Sequence, residues 1–308
     1  MHVLITGGAG FIGSHLSLLA LEQGHRVTVI DNLNQGVKEN IPNSAQFVYG
    51  DILQPEHWID KVDPVDVVIH LAAQISVPFA ERDPLEDLRL NAEGTLKMLL
   101  SAKRLGAKQF RLASSAAVYG NESRLPLKED LSVNPIAFYG WSKYLAERYV
   151  LHFAELHDVE AVIFRLANVY GPRQRTQGEG GVIAVFCEAL AQNRRLEIHG
   201  DGAQTRDFVY AKDVARAFLH RLAEPGPAGV YNVCTETPTS VRELAAFLAR
   251  LAQKDEADFR LAPTRAGDIH DSVLSRRKAE RWGFTAMTPL AEGLALTWKY
   301  FLDQQFLK

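Results

Sequence analysis

His2-Val-Leu-Ile-Thr6 runs directly into Gly7-Gly8-Ala9-Gly10-Phe11-Ile12-Gly13, and this junction decides the architecture. The first five residues read as a short apolar strand, and Phe11 to Gly24 reads as a helix. A second strand, Arg26-Val-Thr-Val-Ile-Asp31, ends in a carboxylate. Strand, glycine loop, helix and strand in that order give the glycines a purpose. They permit a tight turn and a close approach of backbone to a pyrophosphate, which the helix N-terminus then holds through its free N–H groups and dipole. Asp31 is placed to accept hydrogen bonds from a ribose diol and would repel a 2′-phosphate, so NAD is expected rather than NADP. The competing reading of Asp31 is a turn carboxylate that caps the next loop.

Strand and helix signals alternate outward from this unit. Gln46–Gly50, Val65–His70 and Gln109–Ala113 read as strands, and Pro84–Leu105 as a helix with apolar residues at helical spacing. Ile136–His157 is a further expected helix, and Glu160–Leu166 the next strand. The fold class expected is α/β, a doubly wound parallel sheet of Rossmann type with a smaller mixed α/β substrate-binding lobe. After Gly171-Pro172-Arg173 the rhythm loosens, with a helix near Gly181–Gln192. The helix Ala211–Ala223 and strand Gly229–Val233 return to the sheet, and the chain closes with Pro289–Phe306. This assigns 1–170 and 206–236 to the NAD-binding part, and 171–205 and 237–308 to the lobe.

A second pattern concerns chemistry. Tyr139-Gly-Trp-Ser-Lys143 sits 24 residues after Ser115 and puts a phenol and an ammonium on one helix face. A free phenol titrates near pH 10, too high for a base at neutral pH. A lysine one turn away favours the phenolate and lowers that value. Ser115 can hold the same substrate oxygen from the other side. Together with the dinucleotide loop, these groups describe a machine for moving hydride on and off a carbinol.

Composition sets the outer bounds. A chain of 308 residues can bury about three quarters of its unfolded surface. Lysines and arginines number 34 against 37 acidic residues, a net charge of −3 without long runs of one sign, which speaks against a nucleic-acid surface. No stretch has the apolar length of a membrane span, and the first strand starts at once, which argues against a signal peptide. Cys187 and Cys234 read as buried apolar residues of a reducing, cytoplasmic compartment. The ten histidines lack ligand spacing, so no metal site is expected.

With these residues in view, the chain resembles the extended short-chain dehydrogenases/reductases, in particular nucleotide-sugar epimerases of the UDP-glucose 4-epimerase type. The resemblance rests on the glycine loop, Asp31-Asn-Leu33, Gly50-Asp-Ile52, His70-Leu-Ala-Ala73, Asn91-Ala-Glu-Gly-Thr95 and Ser114-Ser-Ala-Ala-Val-Tyr-Gly120. It continues through Tyr139-x-x-x-Lys143, Asn168-Val-Tyr-Gly-Pro172, Gly200-Asp-Gly202, Arg206-Asp-Phe208 and Arg265-Ala-Gly-Asp268. It implies that Asp51 and Ile52 contact the adenine, and that Asn32, Leu71, Ala72 and Ala73 border the cofactor. Asn91 would support the nicotinamide end, and Lys143 would also hold the nicotinamide ribose. Tyr139 would be the base, with Ser115 beside it. Asn168, Arg206 and Arg265 would clamp the nucleotide diphosphate of a UDP-hexose, with Val182 also lining the substrate. A guanidinium fork suits phosphate oxygens in any case. The competing reading of the arginines is a surface ion pair with Asp207 or Asp268.

The resemblance also sorts the reactions. Related 4,6-dehydratases carry an Asp-Glu pair just after the hydroxyl residue, and decarboxylating relatives keep a glutamate at the second position. Ala116 and Ala117 stand here and can do neither job. NAD-dependent 4-epimerisation is therefore the function expected. The alternatives are a dehydratase with its acid and base elsewhere, a UDP-uronate 4-epimerase, or a non-catalytic NAD-binding regulator. In the resembling epimerases a residue four places after the Arg-x-Gly-Asp aspartate helps set the width of the sugar pocket. Ser272 occupies that place and leaves room for an acetamido group. Arg173 and Arg175 could still supply a partner for a uronate. The same resemblance implies a homodimer built on the helices Pro84–Leu105 and Ile136–His157.

Overall fold

A computed structural model describes residues 1–176, 181–224, 226–255, 258–264 and 269–305. Its strands are β1 (His2–Thr6), β2 (Arg26–Asp31), β3 (Gln46–Tyr49), β4 (Val67–His70), β5 (Gln109–Ser115), β6 (Glu160–Leu166) and β7 (Asn168–Tyr170). They continue as β8 (Leu196–His199), β9 (Thr205–Tyr210), β10 (Gly229–Val233), β11 (Pro238–Ser240), β12 (Phe259–Ala262) and β13 (Asp271–Ser272). The helices are α1 (Phe11–Glu22), α2 (Val77–Arg82), α3 (Pro84–Leu88), α4 (Gly94–Arg104) and α5 (Phe138–His157). Then come α6 (Val182–Ala191), α7 (Ala211–Leu219), α8 (Val241–Leu251), α9 (Arg277–Arg281) and α10 (Leu290–Gln305).

Seven strands pair in the order β10-β6-β5-β4-β1-β2-β3, every pair parallel. Both faces are covered, and the strand pleat shows it. Val3 and Ile5 of β1 enter one core with Leu16 of α1 and Phe218 of α7. Leu4 between them enters the other, with Met98 of α4 and Val150 of α5. The strand order reverses between β1 and β4, so a crevice opens beyond their carboxyl ends, where open α/β sheets bind ligands.

The smaller lobe has its own core, in which Phe186, Leu196, Phe208, Leu244 and Leu294 meet. There β9 is flanked by β11 and β13 and also pairs with β7, while β8 pairs with β12. Thr205–Tyr210, which the expected partition divides after residue 205, is thus a single strand of the smaller sheet.

Three elements differ from expectation. Pro84–Leu105 is not one regular helix: α3 leads into a π-helical turn, Arg89–Glu93, and then α4. The widened turn carries Asn91, whose side chain is engaged by partners distant in sequence, described below. Secondly, α1 ends at Glu22, because Gly24 takes a left-handed φ of 79° that closes the helix. Finally, α7 stops at Leu219, where His220 turns extended.

Candidate active site

The glycine loop is built for close approach. A Cβ on Gly13 would lie 2.1 Å from the carbonyl oxygen of Gly7, and Gly7 itself has φ +71° against the backbone of Ala72. Gly10 caps α1 without a side-chain acceptor, and the first turn holds no acidic residue. The amides at this helix end therefore face the crevice with their partial positive charge unneutralised, which suits a pyrophosphate. Asp31 is buried, with Oδ2 accepting from Ala9 N (3.0 Å) and Oδ1 from Leu33 N (2.8 Å). Each oxygen retains a lone pair for a ribose hydroxyl. These observations fit NAD.

The adenine-side residues are tied together. Asn32 Nδ2 donates to Asp51 Oδ2 at 3.2 Å, Asp51 Oδ1 accepts from Leu53 N, and Ile52 is buried. On the other side, the amides of Leu71 and Ala72 donate to Thr6 Oγ1 (3.3 and 3.2 Å). Thr6 Oγ1 also shares a 2.7 Å hydrogen bond with His70 Nδ1. Burial, aided by the Lys143 charge, lowers the His70 imidazole to about 3 and keeps it neutral. Ala73 follows in the same segment, partly buried.

Tyr139 and Lys143 both lie buried in α5. Lys143 Nζ donates to the carbonyl of Ala113 in β5 at 3.1 Å, which draws the lysine toward the end of the strand that carries Ser115. Ser115 Oγ accepts from Ala117 N at 3.2 Å and caps the 3-10 turn Ala116–Tyr119. Gly140 brings these parts together, since a Cβ there would stand 2.7 Å from the Ala117 carbonyl oxygen. The start of α5 can press onto the turn after Ser115 because residue 140 has no side chain. Burial lowers the Lys143 ammonium to about 8, against the opposing fields of Asp87 and Glu147.

The expected substrate residues converge on β9. Asn168 pairs in register with Phe208, and Ser272 with Arg206, so Asn168 and Ser272 both lie on strands paired with β9. Arg206 Nη1 donates to the carbonyls of Thr205 (2.9 Å) and His270 (3.0 Å). Asp207 is committed elsewhere: its carboxylate accepts from Thr235 N, Thr235 Oγ1 and Glu236 N. Val182 opens α6. Arg265 and Asp268 lie outside the described residues. Arg175 is held by Gln35, donating to its carbonyl (2.9 Å) and Oε1 (2.8 Å), and so joins the smaller lobe to the loop after Asp31.

Behind the expected residues stands a polar scaffold that sequence reasoning missed. Asn91 Oδ1 accepts from Gln74 N (2.9 Å), and Nδ2 donates to Asp87 Oδ1 (3.1 Å) and Ser142 Oγ (3.0 Å). Ser142 Oγ donates in turn to the carbonyl of Tyr139 at 3.0 Å. One turn after Lys143, Glu147 accepts a two-pronged pair from Arg165 (3.0 and 2.7 Å) and a hydroxyl from Ser114. Spacing held the only signal: Asp87 and Asn91, and Lys143 and Glu147, are each four apart on a helix.

Residues 3–234 match the NAD dependent epimerase/dehydratase family. The chain is 38% identical to a UDP-glucose 4-epimerase of Mycolicibacterium smegmatis over 99% of both chains. It superposes on the crystal structure of a Thermotoga maritima UDP-glucose 4-epimerase with UDP-glucose at a TM-score of 0.95, with 37% identity and full coverage of both. A Thermus thermophilus UDP-glucose 4-epimerase in complex with NAD gives a TM-score of 0.90 at 34% identity, covering 98% of this chain and 99% of that one.

Proposed function

The chain belongs to the NAD dependent epimerase/dehydratase family, and we propose that it inverts carbon 4 of a nucleotide-linked hexose, interconverting UDP-glucose and UDP-galactose. One observation carries the reading. Ser115, Tyr139 and Lys143 are all present, while the turn after Ser115 offers only Ala116 and Ala117. The groups for oxidising and re-reducing a carbinol are in place. The carboxylates that related dehydratases carry in that turn, for eliminating a neighbouring hydroxyl, are replaced here by the two alanines.

When bound, NAD supplies a reversible acceptor for the carbon-4 hydrogen. Gly7, Gly10, Phe11, Ile12 and Gly13 would hold its pyrophosphate, Asp31 and Asn32 its adenosine ribose, and Asp51 and Ile52 its adenine. Leu71, Ala72, Ala73 and Asn91 would border the remainder. Tyr139 takes the proton of the carbon-4 hydroxyl, Ser115 hydrogen-bonds the same oxygen, and the Lys143 ammonium stabilises the phenolate. Inversion requires the keto-sugar to turn its other face before Tyr139 returns the proton. Asn168, Arg206 and Arg265 would hold the nucleotide diphosphate during that turn, with Val182 lining the substrate.

Ser272 beside Arg206 leaves room for an N-acetyl group, so the N-acetylated sugar pair belongs to the same reading. Uronates are less favoured, because Ala116 and Ala117 lack side-chain donors and Arg175 is engaged by Gln35, which leaves the role of carboxylate partner to Arg173.

A homodimer is part of the proposal. Between α3 and α5 lies an apolar groove of about 470 Å³, walled by Leu85, Leu88, Phe138, Trp141 and Leu145. Leu85 is 78% exposed and Trp141 50%, a patch of the kind that marks an interaction surface. A second copy presenting the same two helices would cover it. A cytoplasmic location also belongs here, supported by two free, buried cysteines, of which Cys187 has its thiol pushed up to about 12 by burial.

Incubation with UDP-galactose tests the function. Conversion to UDP-glucose is expected. A 4-keto-6-deoxy product would point to a dehydratase, and NAD binding without turnover to a regulator.

A further inference from the structure

The proposed reaction needs Lys143 as an ammonium, yet its site strips that ammonium of water. Charged and titratable groups face it from several elements. His70, at the end of β4, is neutral. Glu147, one turn along α5, is balanced by the two-pronged Arg165 of β6. Asp87 of α3 is different. Its side chain is wholly buried, and no cation pairs with it among the described residues. Oδ1 accepts from Gln74 Nε2 (2.6 Å) and Asn91 Nδ2 (3.1 Å), while Oδ2 has no hydrogen-bond partner among the described residues. Burying a carboxylate with one oxygen unbonded is costly, and such a group needs a physical reason.

Two links to the active site supply one. The negative charge of Asp87 opposes the loss of the Lys143 proton, as does that of Glu147. The hydrogen-bond chain Asp87–Asn91–Ser142 ends on the carbonyl of Tyr139. The same carboxylate therefore reaches the lysine by charge and the tyrosine's helical turn by contact.

We propose that Asp87 is a positioning residue of the active site, fixing Asn91 and the first turn of α5 and serving as the uncompensated counter-charge of the Tyr139–Lys143 pair. The proposal rests on the reading of that pair as the proton-transfer machinery.

Asp87→Asn separates charge from shape. The new amide oxygen can keep both hydrogen bonds made by Oδ1, and its nitrogen takes the place of the unbonded Oδ2. Removing a negative charge lowers the proton affinity of the coupled pair, so its titration moves to lower pH. The first readout is the titration of Tyr139 in NAD-loaded protein labelled at tyrosine Cζ with carbon-13, its resonance assigned by its absence in Tyr139→Phe. A midpoint lower by about one pH unit is expected in Asp87→Asn. The alkaline limb of the kcat profile on UDP-galactose should fall by the same amount, with KM unchanged within about threefold. A midpoint and limb that coincide with wild type would overturn the proposal. Asp87→Ala, which also removes the charge, carries the same expectation if the asparagine variant does not fold. A Tyr139 midpoint that moves as expected in a protein with no turnover of UDP-galactose would sink the epimerase reading while supporting the Asp87 assignment.

Discussion

In the proposed reaction Tyr139 and Lys143 share the proton chemistry between them. The phenol oxygen would move the proton, and the ammonium would make that oxygen acidic enough to do so. Tyr139→Phe should lower kcat by about 10²–10⁴-fold while leaving the fold and NAD affinity near wild type, because only the ionisable oxygen is lost. Wild-type turnover in that variant would assign the chemistry to another group. The Lys143 value of about 8 fixes the sign of the pH dependence. In the unliganded protein the ammonium is present below about pH 8 and is lost as pH rises through it, so activity should fall on the alkaline side. Lys143→Met removes the positive charge, which raises the phenol's proton affinity and should move the residual optimum upward. Ser115, Tyr139 and Lys143 could be put forward from the sequence because the proposed chemistry resides in residue type and spacing. Asp87 and Glu147 could not. A carboxylate on a helix reads as a solvated face until the fold buries it, and only burial makes one of them Arg165's partner and leaves the other without a cation among the described residues.

Elements place these groups through contacts that allow little substitution. The β1–α1 junction was readable because strand, glycines and helix adjoin in the chain, and the crowding around Gly13 gives the physical reason. Gly13→Ala would push a methyl group into the Gly7 carbonyl, costing about 1–3 kcal/mol of stability or more through displaced backbone. A lowered melting temperature and a weakened NAD affinity, measured by calorimetry, should appear together. Full NAD affinity in that variant would remove the loop from the cofactor site. The π-helical turn at Arg89–Glu93 shows the opposite case. The apolar spacing of Pro84–Leu105 is that of a continuous helix, and the hydrogen bonds that Asn91 in the widened turn makes to Gln74 and Ser142 are ones local periodicity does not register. Likewise β9 was hard to assign, because its partners β7, β11 and β13 are short and far apart in sequence.

At the scale of the whole molecule, the seven-stranded sheet presents the cofactor side and the smaller lobe presents Asn168, Arg206 and Ser272 around β9. The sheet was legible from alternating strands and helices, whereas the lobe's pairing was not. The apolar groove between α3 and α5 predicts an assembly: light scattering at micromolar concentration should give twice the chain mass of 34.3 kDa, and the mass of one chain would contradict the dimer. The central claim is that one hydrogen leaves carbon 4 and returns to the same carbon from the other side, within a site that keeps water from it. The direct test is turnover of UDP-galactose carrying deuterium at carbon 4, in ordinary water, with the product read by mass spectrometry and proton NMR. The account predicts UDP-glucose with the deuterium still on carbon 4, and UDP-glucose that has exchanged it for solvent hydrogen would contradict it.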